Sequence, residues 1–255
     1  MDLGLVGRRA LVGGGGSGIG GGIATVLTDE GARVALIGRT RERIAAEASR
    51  LGGVPIVADL ATPDGPSGAV AAAVAALGGL DLLVVNTGGP PGGTFETIGE
   101  AEWELAIAGT LQPPLRLLRA ALPHLRAGQD PSILIVLSSS VREPIPALIT
   151  SNVLRPGLAG LIKALTTELA PIRINGLAPG RISTDRIAFL DGKRAEAAGV
   201  TIEEIARRQT AAIPLGRYGH PSEIGRVGAF LLSPAASYVT GAILAVDGGM
   251  IRSLP

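Results

Sequence analysis

Ala10-Leu11-Val12-Gly13-Gly14-Gly15-Gly16-Ser17-Gly18-Ile19-Gly20 opens as an apolar run, passes through glycines and leads to Ile23, Val26 and Leu27. Alone, the glycines would pass for a flexible linker. Their flanks argue otherwise, because Ile19, Ile23, Val26 and Leu27 recur at helical spacing immediately after them. Strand, glycine turn and helix together aim backbone N–H groups and a helix N-terminus at a pyrophosphate. The glycines fall as G-x-x-x-G-x-G at Gly14, Gly18 and Gly20. A P-loop is the competing reading, but no Gly-Lys-Ser/Thr follows. The expectation is a dinucleotide loop whose contacts are Gly14, Gly16, Ser17, Gly18, Ile19 and Gly20.

Outward from this loop, apolar, β-branched runs at 10–12, 34–37, 54–58, 80–85, 133–137, 172–177 and 243–246 alternate with helix-length segments. Strands that are apolar throughout belong to a parallel sheet covered on both faces, built from βαβ units. The chain is therefore expected to be α/β: one doubly wound Rossmann domain over 1–255, with a mostly parallel seven-stranded sheet and helices on both faces. The alanine-rich segment 69–79 predicts a crossover helix. Residues 186–212 are more polar and interrupt the strand rhythm, which predicts a helical insertion where a substrate lid would lie.

Composition narrows the partners. The 23 Lys and Arg nearly balance 22 Asp and Glu, giving +1 over 255 residues, and no charge run offers a footprint for nucleic acid or a membrane surface. Cysteine is absent, and His124 and His220 lie far apart, so no metal site is expected. The first nine residues lack a signal-peptide core, and 69–80 is too short to span a bilayer and is closed by Asp81. Cytoplasmic location is the default.

The choice of nicotinamide cofactor is made at the end of the second strand, where an acid would bind a ribose hydroxyl and an arginine a 2'-phosphate. The sequence there is Leu36-Ile37-Gly38-Arg39-Thr40-Arg41, without a carboxylate. Arg39 favours NADP(H) over NAD(H); the alternative is that Arg39 and Arg41 are solvated loop charges.

Further pieces extend the pattern along nearly the whole chain: Asp59-Leu60, Asn86-Thr87-Gly88, Ser138, Pro179-Gly180 with Thr184, and Val246-Asp247-Gly248-Gly249. With the glycine loop they resemble the short-chain dehydrogenase/reductase family. The resemblance implies that Asp59 and Leu60 lie by the adenine, Asn86 and Gly88 shape the floor near the adenine ribose, and Pro179, Gly180, Ile182 and Thr184 lead to the nicotinamide and diphosphate. The alternatives are a turn former at Asp59, a strand-end cap at Asn86 and a helix N-cap at Thr184. The family's chemistry rests on a Ser, a Tyr, a Lys four residues after the Tyr, and an Asn. In this sequence Ser138 matches the Ser, whereas Ser151, Arg155 and Thr110 stand where the Tyr, Lys and Asn are expected. The register is carried by Gly157, Gly160, Leu165, Glu168 and Trp103.

Ser138, Ser151 and Arg155 are thus the candidate catalytic residues. A serine hydroxyl is a far weaker acid than a phenol, and a guanidinium does not copy a lysine, although Arg155 can still hold ribose hydroxyls or an anionic substrate. The alternative for Ser151-Asn152 is helix capping with Pro156 in an early turn, and for Ser138 to Ser140 it is satisfaction of strand-end backbone. Tyr218 and Tyr238, the two tyrosines, have no obvious place in the reaction. The leading expectation is an oxidoreductase, similar to 3-oxoacyl reductases, that reduces a carbonyl or oxidises an alcohol of a small molecule with NADP(H). A non-catalytic dinucleotide sensor or scaffold is the alternative, and a lyase or isomerase a third. Many relatives form tetramers through the helix at 151–170 and the last strand, so a homo-oligomer, tetramer or dimer, is expected here; its Leu154, Leu158, Leu161, Leu165 and Leu169 stripe would also serve core packing.

Overall fold

The computed structural model describes residues 2–253. Among them the apolar runs form seven strands: β1 (Arg9–Val12), β2 (Arg33–Gly38), β3 (Val54–Val57), β4 (Leu82–Val85), β5 (Ser132–Val136), β6 (Arg173–Pro179) and β7 (Ile243–Val246). All pair parallel, in the order β3-β2-β1-β4-β5-β6-β7. Parallel neighbours need long crossovers. These are α1 (Gly18–Asp29), α2 (Arg41–Leu51), α3 (Gly65–Leu77), α4 (Glu100–Ala106) continuing through a π-helical turn (Ile107–Leu111) into α5 (Gln112–Arg126), and α6 (Ile149–Glu168). Then α7 (Asp185–Ala198), α8 (Ile202–Ala211) and α9 (Pro221–Leu232) lie between β6 and β7. The strand order reverses between β1 and β4, which is where such sheets open a crevice at their carboxyl ends.

Two apolar layers cover the sheet. Leu11, Ile37, Leu83, Ile135 and Ile174 face one side with Leu117 and Leu158, while Val12, Leu36, Val84, Leu134 and Leu177 face the other with Ile23 and Ile224. Successive strand residues thus enter different layers, and both layers are buried, so the runs carry no polar alternation.

Some boundaries differ from the sequence pattern for physical reasons. β4 begins at Leu82 because Asp81 turns to Arg9, whose Nε and Nη2 donate to its two oxygens at 2.9 and 2.7 Å. Of segment 69–79, residues 69–77 lie in α3, which starts at Gly65 and stops where Gly78 takes φ 77°. Segment 186–212 holds two helices, α7 from Asp185 and α8, separated by a short turn at 199–201. α6 begins at Ile149, so Ser151 and Asn152 are inside its first turn and do not cap it. Asn152 instead reaches back to Ile145, accepting from its N–H and donating to its C=O, both at 2.9 Å. Pro156 is consequently inside the helix and not near its start.

α1 and α9 meet through glycines. A Cβ on Gly22 would stand 2.4 Å from the Pro221 oxygen, and one on Gly225 2.4 Å from the Gly22 oxygen. Because backbone occupies that space, Gly22→Ala is expected to lower stability by about 1–3 kcal/mol, the usual cost of overpacking. Gly68→Ala, where a Cβ meets nothing within 4 Å, keeps or raises it. Thermal unfolding of the two variants checks the contrast; equal midpoints would overturn the packing argument.

Candidate functional site

The glycine turn is pinned on three sides. Gly13 N–H donates to Val84 O at 2.9 Å, Gly15 N–H to Ile37 O at 3.0 Å, and Asn86 Nδ2 to Gly13 O at 3.1 Å. Gly14 and Gly18 take φ of 59° and 55°, the left-handed region that favours glycine. Ser17 precedes α1 in extended backbone without a side-chain cap bond, and no acid occupies the first turn. The first N–H groups of α1 and the positive end of its dipole thereby remain open to an anion. An open helix N-terminus behind a left-handed glycine turn fits a dinucleotide diphosphate.

The segment after β6 closes over the same turn. Gly180 N–H donates to Val246 O at 3.1 Å, and a Cβ on Gly180 would lie 2.7 Å from Asp247 Cα. Pro179 ends β6, and Ile182 is buried and bridged to Gly219. Thr184 is the N-cap of α7, accepting from Ile187 N–H at 3.4 Å, and its methyl would be 3.3 Å from a Cβ on Gly18. Capping and proximity to the glycine turn therefore coexist at Thr184. Asp59 does form a turn, its Oδ1 accepting from Ala61 N–H at 3.0 Å, while Leu60 is half-buried against the core. Gly88 is exposed, with nothing within 4 Å of a would-be Cβ.

Arg39 is exposed at the carboxyl end of β2 and joins no ion pair among the described residues. The sequence reading passed over Arg43, whose stem lies 3.6 Å from a would-be Gly16 Cβ and whose Nη1 meets Asp185 of α7 at 3.3 Å. Its place in the first turn after Arg39 was the available signal.

Beyond β5 the structure gathers hydroxyls. Ser138 is half-buried and caps a single 3₁₀ turn, its Oγ accepting from Ser140 N–H at 3.1 Å. Ser140 and Ser151 are buried with their Oγ atoms 3.1 Å apart. Ser140, which sequence reasoning set below Ser138, is the link between the strand end and α6. Arg155, one turn further along α6, is buried and donates through Nη1 to Val136 O and Leu137 O, both at 2.9 Å. Burial, and then the like charge of Arg186, pull its guanidinium down to about 10, so it remains a cation at neutral pH. Thr110 is fully buried in the π-helical turn, and its Oγ1 has no hydrogen-bond partner. π-turns of this kind concentrate at functional sites.

Tyr218 belongs to a different cluster. Its OH donates to the buried Asp191 at 2.7 Å, Arg181 Nη2 reaches the other Asp191 oxygen at 2.8 Å, and the Arg181 guanidinium stands 5.4 Å over the Tyr218 ring. Burial, reinforced by Asp191, pushes the phenol up to about 12, so it stays protonated while anchoring α7. Tyr238 is fully exposed.

Known proteins share this fold and much of the sequence pattern that builds it. Residues 14–251 match the family model described as enoyl-(acyl carrier protein) reductase. The chain is 31% identical to human dehydrogenase/reductase SDR family member 4 across 96% of its own length and 88% of that protein. It is likewise 31% identical to the 3-oxoacyl-(acyl-carrier-protein) reductase FabG of Aquifex aeolicus, across 98% and 100%. L-sorbose reductase from Gluconobacter frateurii, solved with NADPH and L-sorbose, superposes over the whole of both chains with a TM-score of 0.94 at 29% identity. Among the described residues no helix is long and apolar enough to cross a membrane. With the glycine turn, the all-parallel sheet and these full-length matches in agreement, the chain belongs to the short-chain dehydrogenase/reductase family.

Proposed function

We propose that this protein is an NADP(H)-dependent oxidoreductase that reduces a carbonyl, or oxidises an alcohol, of a small molecule at an atypical site. The observation that carries the reading is the Ser138–Ser140–Ser151 cluster at the carboxyl end of β5, the same end of the sheet as the glycine turn. The NADPH-bound L-sorbose reductase supports the cofactor assignment by analogy. Gly14 to Gly20 would hold the diphosphate, Arg39 the 2'-phosphate, Asp59 and Leu60 the adenine, Asn86 and Gly88 the ribose floor, and Pro179 to Thr184 the nicotinamide side. When bound, NADP(H) supplies or takes up the hydride.

Ser138 uses its Oγ lone pair for Ser140 N–H, which leaves its O–H proton to donate to a substrate carbonyl. Ser151 occupies the position of the family's Tyr and shares a proton network with Ser140. Its weak acidity forgoes part of the roughly 100 to 10,000-fold that a well-tuned general acid supplies, so the proton also comes from a water or from the substrate itself. α7 and α8 act as a lid anchored by Asp191. A cytoplasmic homo-oligomer completes the reading, supported by the outer edge of β7, where Leu244 and Ala245 are exposed. The leucine stripe supports it less, since Leu154, Leu158 and Leu169 are already buried within the chain.

Parallel calorimetric titrations with NADPH and NADH test the reading. At least tenfold tighter NADPH binding, about 1.4 kcal/mol, is expected, and Arg39→Ala should remove the difference. Equal affinities would leave Arg39 a solvated charge. Ser138→Ala is expected to abolish turnover of ketone substrates while still binding NADPH, and full activity in that variant would reject its role. One observation favours a dinucleotide sensor instead: Ser151 Oγ and Arg155 Nη1 are both engaged within the chain. Tight NADPH binding with no turnover on any carbonyl would select the sensor.

A further inference from the structure

A buried guanidinium normally faces a carboxylate, but Arg155, a residue with only 7% of its surface exposed, does not. Its protein partners are the neutral carbonyls of Val136 and Leu137, taken by one nitrogen, Nη1. Among the described residues neither Arg155 nor Arg186 forms an ion pair. The chain segment 89–93 ties together the starts of the two helices that carry them. Thr150 of α6 donates to Pro91 O at 2.7 Å, Ile149 N–H to Gly93 O at 3.2 Å, and Arg186 Nη2 of α7 to Pro90 O at 3.1 Å. A Cβ on Gly89 would lie 3.2 Å from the Arg186 guanidinium, so glycine there leaves the arginine room. The first turns of α6 and α7 therefore dock on one short loop that follows β4, at the carboxyl end of the sheet where Ser138, Ser151 and the bonds of Arg155 to the end of β5 also lie.

We propose that this crevice takes a substrate bearing an oxyanion, a carboxylate or a phosphate monoester, held jointly by Arg155 and Arg186. Two like charges brought close without a counter-charge oppose folding, and Arg186 is the charged neighbour that acts on Arg155. An oxyanion entering between them offsets both desolvation and repulsion, and the planar forks of two guanidinium groups match its geometry. Arg155 and Arg186 would thus set specificity, while the reacting carbonyl of the same molecule lies toward Ser138. The inference rests on the reading of this crevice as the substrate site.

Matched pairs of probes test it: acetoacetate against acetoacetamide, and dihydroxyacetone phosphate against dihydroxyacetone, titrated calorimetrically into the full chain with and without saturating NADPH. The anionic member of at least one pair should bind at least tenfold tighter than its neutral partner, and the pair showing the preference separates carboxylate from phosphate. Arg186→Gln, a change at an exposed side chain that the fold should tolerate, should erase the preference. Arg119→Gln, which removes the same charge from another exposed position, should keep it. Equal affinities within both pairs, absence of binding by all four probes, or a preference that survives Arg186→Gln would overturn the proposal. NADPH heat without an anion preference rejects this inference and leaves the oxidoreductase reading standing. An anion preference without NADPH heat does the reverse.

Discussion

Gly20→Ala is expected to weaken dinucleotide binding severely. A Cβ at this position would stand 2.2 Å from the Gly14 oxygen and 2.8 Å from Asn86 Nδ2. Neither neighbour can yield cheaply, because Gly14 is held in left-handed backbone at φ 59° and Asn86 Nδ2 is the donor that fixes the Gly13 carbonyl. The turn must open, and the first N–H groups of α1 then lose their common aim. NADPH affinity should fall at least 100-fold, about 2.7 kcal/mol, measured by calorimetric titration, while the thermal midpoint drops by a few degrees. Parent-like affinity would mean that this turn is not the cofactor cradle.

Asp81→Asn is expected to destabilise the fold by about 1.5–3 kcal/mol, the usual worth of hydrogen bonds to a charged group. The carboxylate is buried and receives four hydrogen bonds: from Arg9 Nε at 2.9 Å, Arg9 Nη2 at 2.7 Å, Arg9 N–H at 2.9 Å and Gln129 N–H at 2.7 Å. Burial pulls its pKa upward, but those hydrogen bonds, led by the Arg9 side chain, outweigh it and hold the carboxyl below its usual range. A carboxyl depressed in the folded state stabilises the fold at pH values above its unfolded pKa, about 3.9. That contribution is lost as the pH falls through the lower folded value. Urea unfolding at pH 7 should show the full difference between parent and variant, and the gap should close below about pH 4. A gap independent of pH would show that shape, not charge, holds β1 to the start of β4.

The strands were legible because both faces of a parallel sheet are buried, so each announces itself as an unbroken apolar run. The limits of the runs were less so: Leu80 is as apolar as a strand residue, yet it packs in the core just before Asp81 turns the chain toward Arg9. The glycine turn was legible because Gly14, Gly18 and Gly20 are needed for backbone reasons that composition betrays. The hydroxyl cluster was only half legible. Ser138 follows its strand directly, but the bond from Ser140 to Ser151 depends on how a 3₁₀ turn meets α6. The π-helical turn at Thr110 left no periodic trace, since a single widened turn hardly disturbs helical spacing. Arg155 and Arg186 lie on different helices, and nothing in sequence spacing announces that the loop at 89–93 ties the starts of those helices together.

The sheet order also prescribes how the chain can be assembled as it is made. Once β4 has emerged, β3-β2-β1-β4 can close as a half-sheet from local crossovers alone. Its β4 edge then waits, unpaired and flanked by unfinished apolar faces, until the long α4–α5 connection has been synthesised and β5 arrives. A nascent or truncated chain ending between β4 and β5 would thus carry an exposed strand edge of the kind that invites aggregation or chaperone capture. The β4 edge, on the far side of the strand that borders the switch point and its ligand crevice, is thus the seam at which biosynthesis is most exposed.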